Sequence, residues 1–435
     1  MKILYDVSYL GLNYADSALL TGIPRAQDRI LHAALAHDDL RPTCAALQNY
    51  AAQLYFAEYL RHEWPHPRPP LIRVWQHPRV SDRIARWMAS RLRCEGGWPR
   101  LSTRPERSAL RLALDQVVRT AKWHGVPTRF DIFHSLYYGL PPRGAIGGRA
   151  RVLTVFDLAP IRFPEFFPPE FNFAHFRGIM RSVEPGRDHV ITCSASTKRD
   201  FCDFTSISAD QVHVVPLAAS AAVFHPEREP RRIATVRRRY GIPPGRYLLA
   251  LFTLEPRKNA AGLVRAFAEL VRRSELAETT LVIAGALGWD SAIERQLGVD
   301  AALRQRIVFT GRVPDADMSP LYSAATAFVY PSYYEGFGLP VLEAMQCGVP
   351  VIASNTSSLP EVVGDAGVLV DPHDIEGLTN AIHGVITDDT RRAELGRAGL
   401  ARSRLFSWER HMAETVDVYR AALEPIPLGQ LDETR

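Results

Sequence analysis

The chain has 435 residues, 46% of them hydrophobic, which is more than one core usually holds, so two domains are expected. Five cysteines (Cys44, Cys94, Cys193, Cys202 and Cys347) form an odd set without CxxC spacing, which argues against a disulfide framework and a zinc site. Net charge is a mild +5, and no apolar run approaches the ~18–20 residues of a membrane span.

The opening "MKILYDVSYL" reads as a strand that starts at once, without a charged and apolar leader, so a cytoplasmic protein is expected, soluble or peripheral on the membrane's inner face. Between Arg61 and Arg129 stand fifteen Lys/Arg against five Asp/Glu, with Trp64, Trp75, Trp87, Trp98 and Trp123 among them. Within that segment "SDRIARWMASRLRC" predicts a helix capped by Ser81, with Ile84, Trp87, Met88 and Leu92 on one stripe. Such a helix can lie on an anionic bilayer, or pack on its domain with its arginines solvated, and both readings stay open. No nucleic-acid motif accompanies the charge, so no nucleic-acid partner is expected.

Further on, short β-branched runs alternate with helical patterns. Strands are predicted within 151–160, 189–196, 211–217, 247–259, 279–287, 306–313, 325–333 and 349–355. This alternation implies mostly parallel sheets covered by helices on both faces, an α/β protein of two doubly wound units. The charged, proline-rich stretch 224–246 reads as the linker between them. Near the end, Trp408, Met412, Val416, Tyr419 and Leu423 form a helical stripe that needs a surface to pack on.

Chemistry concentrates in "YPSYYEGFGLPVLEAMQCGVP" (330–350). Gly336, Phe337 and Gly338 make a turn after a strand, and Leu339 and Pro340 open a helix. Close-approaching amides and the helix N-terminus together suit a phosphate. Glu343, one turn into the helix, points sideways at a distance suited to ribose hydroxyls. Glu335, with seven residues between it and Glu343, lies on the side where a group carried by the phosphate would sit. In "TLEPRKN", Arg257 and Lys258 stand at a strand's C-terminal end, where open parallel sheets bind ligands and where cations could neutralise a leaving diphosphate. No Asp-x-Asp pair stands at a suitable strand end, since "DAD" (315–317) falls in a predicted loop, so no metal is expected.

These pieces resemble the family 4 (group 1) glycosyltransferases of the GT-B class, whose signature is two glutamates separated by seven residues. The resemblance extends through "TGIPR" (21–25), "DIFHSLYYGLPP" (131–142), "VFDLAPIRFPEFF" (155–167), "SASTKRDF" (194–201), "VFTGRVPDADMSPLYSAATAFVYPS" (308–332) and "LPEVVGDAGVLVDPHD" (359–374), and leaves out roughly residues 45–125. It implies two Rossmann-like domains facing across a cleft: an acceptor-side domain over 1–228, a nucleotide-sugar domain over 240–405, and a last helix over 406–424 packing back on the first. By the same resemblance Arg257 and Lys258 stabilise the diphosphate, Glu343 holds the ribose, and Glu335 contacts the donor sugar. Amides at Phe337, Gly338 and Leu339 complete the phosphate site, and Gly22 closes on it with help from Arg25. Val313 faces the base, while Asp157 and His134 line the cleft near the reacting carbon. Phe156 departs from the pattern, since many relatives carry histidine there.

The activity so implied is retaining hexosyl transfer without metal or other cofactor, the nucleotide sugar serving as co-substrate. Bacterial mannosyltransferases are the nearest in motif, which favours GDP-mannose over UDP- or dTDP-sugars, and a polysaccharide or lipid-linked oligosaccharide acceptor. A nucleotide-sugar epimerase, a phosphorylase and a catalytically silent scaffold are the competing readings.

Overall fold

The computed structural model describes residues 1–16, 20, 22–92, 105–126, 129–273, 279–286, 288–290 and 301–424. Cys94, Trp98 and the arginines between 93 and 104 lie outside them.

Each half is built on one parallel sheet. In the first half the strands are β1 (Lys2–Asp6), β2 (Arg41–Ala45), β3 (Leu71–Ile72), β6 (Phe130–Ser135), β7 (Gly148–Val155), β8 (His189–Thr192) and β9 (Val212–Val214), ordered β3-β2-β1-β6-β7-β8-β9. The second sheet has β10 (Tyr247–Leu251), β11 (Thr280–Ala284), β12 (Ile307–Gly311), β13 (Ala327–Tyr330), β14 (Val351–Ser354) and β15 (Val368–Val370), ordered β12-β11-β10-β13-β14-β15. A small antiparallel ribbon, β4 (Trp75–Gln76) with β5 (Lys122–Trp123), decorates the first half. Central strands such as "YLLAL" and "AFVY" are buried almost throughout, because helices cover both faces of their sheet. Strand order reverses at β1/β6 and at β10/β13, and crevices beyond the carboxyl ends of strands at such switch points are where ligands bind.

All the strands expected from the alternation are present, each shorter than its apolar run. The runs continue into loops that cross the cleft: β7 stops at Val155 before Phe156 and Asp157, and β10 stops at Leu251 before a tight turn at Pro256–Lys258.

Packing adds to one expectation and corrects another. The stretch 224–246 joins the two sheets and holds a helix, Pro230–Arg239, with proline in its first turn and Val236 buried, packed on the helix Asp315–Ser323. The helix Asp82–Leu92 sits about its axis differently from its predicted stripe. Ala85, Met88 and Ala89 face inward, while Ile84 and Trp87 are exposed and Leu92 is half-buried. Small alanines let it approach the helix Tyr50–His62, an arrangement that leaves the bulky tryptophan outside.

The terminal stripe finds its surface. Helix Trp408–Leu423 packs on the helix Ile23–Ala36 and on β6, β7 and β8 of the first domain, with Met412, Val416 and Tyr419 buried. There the Tyr419 hydroxyl meets the Tyr5 hydroxyl at 2.8 Å and His134 Nδ1 at 2.6 Å, while His134 Nε2 meets Thr154 Oγ1 at 2.7 Å. Burial, and secondarily the nearby His411, push the His134 pKa down to about 3, so the ring is neutral. Replacing Tyr419 by phenylalanine strips a partner from both Tyr5 and His134 inside the core. Urea unfolding should register a loss of about 1–3 kcal/mol, the usual cost of buried polar groups left unsatisfied. An unchanged midpoint would remove this network from the forces that hold the last helix in place.

Candidate active site

A cavity of about 450 Å³ lies between the two sheets' carboxyl ends. It is lined by eleven of the twelve residues singled out above: Gly22, Arg25, Asp157, Arg257, Lys258, Val313, Glu335, Phe337, Gly338, Leu339 and Glu343. The exception is His134, which sits in the core network just described rather than on the cleft wall. A histidine in a strand reads alike from sequence in either place.

The second domain's wall begins with a buried charge cluster. Lys258 Nζ donates to Glu335 Oε1 at 2.7 Å and to the Tyr330 hydroxyl at 3.1 Å. Arg257 donates to Glu335 Oε2 at 3.1 Å, to Glu255 Oε1 at 2.7 Å and to the Tyr334 carbonyl at 2.8 Å. Burial alone would raise the Glu335 pKa, but Lys258 and then Arg257 outweigh it and hold it at about 2. Burial would likewise lower the Arg257 pKa, and Glu335 and Glu255 more than reverse that. Both partners are therefore fully ionised at neutral pH.

Next comes the turn. Gly338 adopts φ 106°, a left-handed conformation that favours glycine, and precedes the helix Leu339–Gln346 with Pro340 in its first turn. That helix N-terminus opens on the cavity, and Glu343 is buried one turn further in. Tyr322 donates to Glu343 Oε2 at 2.9 Å, and Arg25 donates to Oε1 at 3.2 Å. Burial raises the Glu343 pKa by more than Arg25 and Tyr322 lower it. The two glutamates thus shift in opposite directions, each with its own cation.

Arg25 crosses from the first domain, from the helix that follows Gly22. Besides Glu343 it bonds Asp315, and its guanidinium stands 5.5 Å from the Phe224 ring centre. The structure therefore places Arg25 beside the Glu343 carboxylate and Asp315, rather than with the Arg257–Lys258 corner. Asp315 and Asp317 begin a helix rather than lying in a loop, and Asp317 is taken by Arg239 and the Tyr240 hydroxyl. Val313 lies between β12 and that helix and reaches the cavity.

On the opposite wall, Phe156 and Asp157 follow β7, with Asp157 Oδ1 accepting from the Ala159 amide at 2.9 Å. Asp157 also borders an adjoining aromatic pocket of about 130 Å³ that includes Tyr137, Phe167 and Phe171. The domains touch here through backbone. A Cβ on Gly336 would lie 1.9 Å from the Phe156 carbonyl oxygen, and the Gly336 carbonyl accepts from Ser194 Oγ at 2.7 Å and Thr197 Oγ1 at 3.2 Å. Beside it, both Glu361 oxygens accept amides at the N-terminus of the helix Ala195–Thr205, each at 2.8 Å.

Sequence reasoning missed Glu255, Tyr322 and the roles of Gly336 and Glu361. Glu255 lies inside a quoted motif, but its bond to Arg257 is a matter of turn geometry.

The family model described as glycosyl transferases group 1 matches residues 233–402. O-antigen chain mannosyltransferase B of Escherichia coli is 35% identical over 293 residues, 66% of this chain and 74% of that protein. The chain belongs to the group 1 glycosyltransferases. The serotype-specific mannosyltransferase WbdA of Escherichia coli is 31% identical over 260 residues, which are 59% of this glycosyltransferase but only 32% of WbdA. In fold it is similar to the Anabaena protein HepE, solved in complex with UDP and glucose, with a TM-score of 0.62 at 18% identity over 96% of this chain and 99% of that one. The two facing sheets are the GT-B architecture.

Gly336→Ala tests the backbone contact. The added methyl must part the two walls by about an ångström or more, and misplacement on that scale costs about 10²-fold in rate. Steady-state nucleotide release should fall by that order while the unfolding midpoint stays close to wild type. Undiminished turnover would show that the contact does not set the spacing of the working site.

Proposed function

We propose that this glycosyltransferase moves mannose from GDP-mannose to a growing polysaccharide or lipid-linked oligosaccharide in surface-glycan synthesis, with retention of anomeric configuration and without a metal ion. The observation that carries this reading is the convergence of Arg257, Lys258, Glu335 and a helix N-terminus on one corner of a cavity between two domains. The names of the two Escherichia coli relatives support mannose, and UDP- or dTDP-sugars are the competing donors.

In this reading the diphosphate lies against the first-turn amides at Gly338 and Leu339, with Arg257 and Lys258 alongside. The ribose reaches Glu343. Glu335 accepts hydrogen bonds from sugar hydroxyls, since a carboxyl held near pKa 2 is a poor proton donor at neutral pH. The bond from the sugar's anomeric carbon to the phosphate oxygen breaks, and the acceptor oxygen joins that carbon on the same face. Its proton passes to the departing phosphate. Charge growing on the leaving group meets preorganised cations and amides, usually the largest single contribution to catalysis. The acceptor approaches from Asp157 and the aromatic pocket, whose ring faces suit a sugar's C–H surface.

A panel of GDP-mannose, UDP- and dTDP-sugars, with released nucleotide as readout, tests the proposal. Release from GDP-mannose should accelerate when a mannan-type acceptor is added. Nucleotide release that no acceptor accelerates would indicate donor hydrolysis, a changed sugar on an intact nucleotide would indicate an epimerase, and no turnover of any donor would indicate a silent scaffold. Arg257→Ala and Lys258→Ala should each lower kcat by about 10²–10³-fold, the scale for one lost preorganised donor. Glu343→Ala should raise the donor KM more than it lowers kcat, because ribose contacts change little during reaction. A pure kcat defect for Glu343→Ala would contradict its ribose assignment. Activity should also survive EDTA, the needed positive charge coming from the protein. Loss that magnesium or manganese restores would refute the metal-free mechanism.

A further inference from the structure

The basic segment outside the family motifs leaves an unexplained surface. Helix Asp82–Leu92 docks through Ala85, Met88 and Ala89 onto a satellite core with Tyr50, Leu54 and Tyr55, joined by Leu114 and Val117 of the helix Pro105–Thr120. Its one acidic residue is occupied there, with Asp82 accepting from the Tyr50 hydroxyl at 2.7 Å and pairing with Arg73 at 3.1 Å. The other side of the helix faces water. Ile84 is 55% exposed and Trp87, three residues on, is 54% exposed, while Leu112 on the neighbouring helix is 70% exposed. Four of the six large apolar side chains that stand out in solvent among the described residues belong to this segment, Trp123 being the fourth.

Around Ile84 and Trp87 the exposed charged side chains are arginines, while Asp115, half-buried, stands three residues from Leu112 on the neighbouring helix. Arg79, Arg83 and Arg91 are exposed, and the Arg91 guanidinium stands 5.9 Å from the Trp87 ring centre. A domain surface needing only solubility has no use for tryptophan and isoleucine turned outward while alanines face in. An interfacial helix has this composition, with apolar side chains for the acyl boundary and cations for the headgroups.

We propose that the outer face of helix Asp82–Leu92, with Leu112 beside it, seats the first domain reversibly on an anionic lipid bilayer. Ile84 and Trp87 enter the headgroup boundary while Arg79, Arg83 and Arg91 meet lipid phosphates. This assignment stands independently of donor and acceptor identity, and its test does not read catalysis first.

The full chain is sedimented with phosphatidylcholine vesicles, with and without phosphatidylglycerol, at low and high salt. It should pellet only with the anionic vesicles and be released by salt. Each exposed cation near such a surface strengthens binding about fivefold, so the triple change Arg79→Gln, Arg83→Gln, Arg91→Gln should weaken it by about 10²-fold. Brominated lipid should quench part of the wild-type tryptophan fluorescence, and Trp87→Ser should abolish that quenching. The pair Ile84→Ser, Trp87→Ser should weaken binding by about tenfold or more. All the substituted side chains are exposed, so donor hydrolysis and the unfolding midpoint should match wild type in every variant. Wild type that stays in the supernatant with anionic vesicles at low salt overturns the proposal. So does binding that survives loss of Ile84 and Trp87 undiminished, which would reduce the effect to the general attraction of a basic protein, and so does equal binding to neutral vesicles.

Discussion

Everything at the cleft depends on the buried ion cluster of Arg257, Lys258, Glu255 and Glu335. Two cations and two anions cancel, which is what allows four charges to be taken out of water at the carboxyl ends of β10 and β13. Removing any one member leaves a charge uncompensated, a loss on the order of 3–5 kcal/mol. The same balance keeps each side chain in a fixed direction. Arg257 is gripped at both ends of its fork, by Glu255 on one nitrogen and by Glu335 and the Tyr334 carbonyl on the other. A guanidinium held in this way needs little reorganisation when charge develops nearby.

The second glutamate obeys a different constraint. Glu343 has one cation, and that cation comes from the other domain and is shared with Asp315. Hydroxyl groups, from Tyr322 here and from a sugar in the proposed complex, are the partners its weaker ionisation suits. The signature of two glutamates with seven residues between them therefore joins two unlike environments, one strongly cationic and one mostly neutral.

Much of the second half was legible because its chemistry is compressed into contiguous motifs. The Gly-Phe-Gly turn, its helix and "EPRKN" each carry their geometry in their own residues. The first half was harder for a physical reason: its contributions arrive through packing between distant segments. His134 became a core residue because Tyr419, almost three hundred positions away, returns to it. Arg25 found Glu343 and Asp315 rather than the diphosphate corner because the domains' approach, invisible in either motif, decides what its guanidinium meets. Helix Asp82–Leu92 illustrates the limit of periodicity itself. Its apolar stripe and its alanine stripe are adjacent on the wheel, and only the neighbouring helix Tyr50–His62 settles which one is buried.

Where Gly336 meets the Phe156 carbonyl, the two halves press so closely together that a Cβ there would lie 1.9 Å from that oxygen and 2.8 Å from the Asp157 Cβ. No substitution at Gly336 can retune that clearance by a small step; any Cβ overshoots it. Variation in what such a protein accepts is thereby channelled to the rim, to positions such as Tyr9 and Asn13 that border the cavity. A chain built this way can change its sugar acceptor by ordinary point substitutions while the distance across its reacting centre is inherited unaltered.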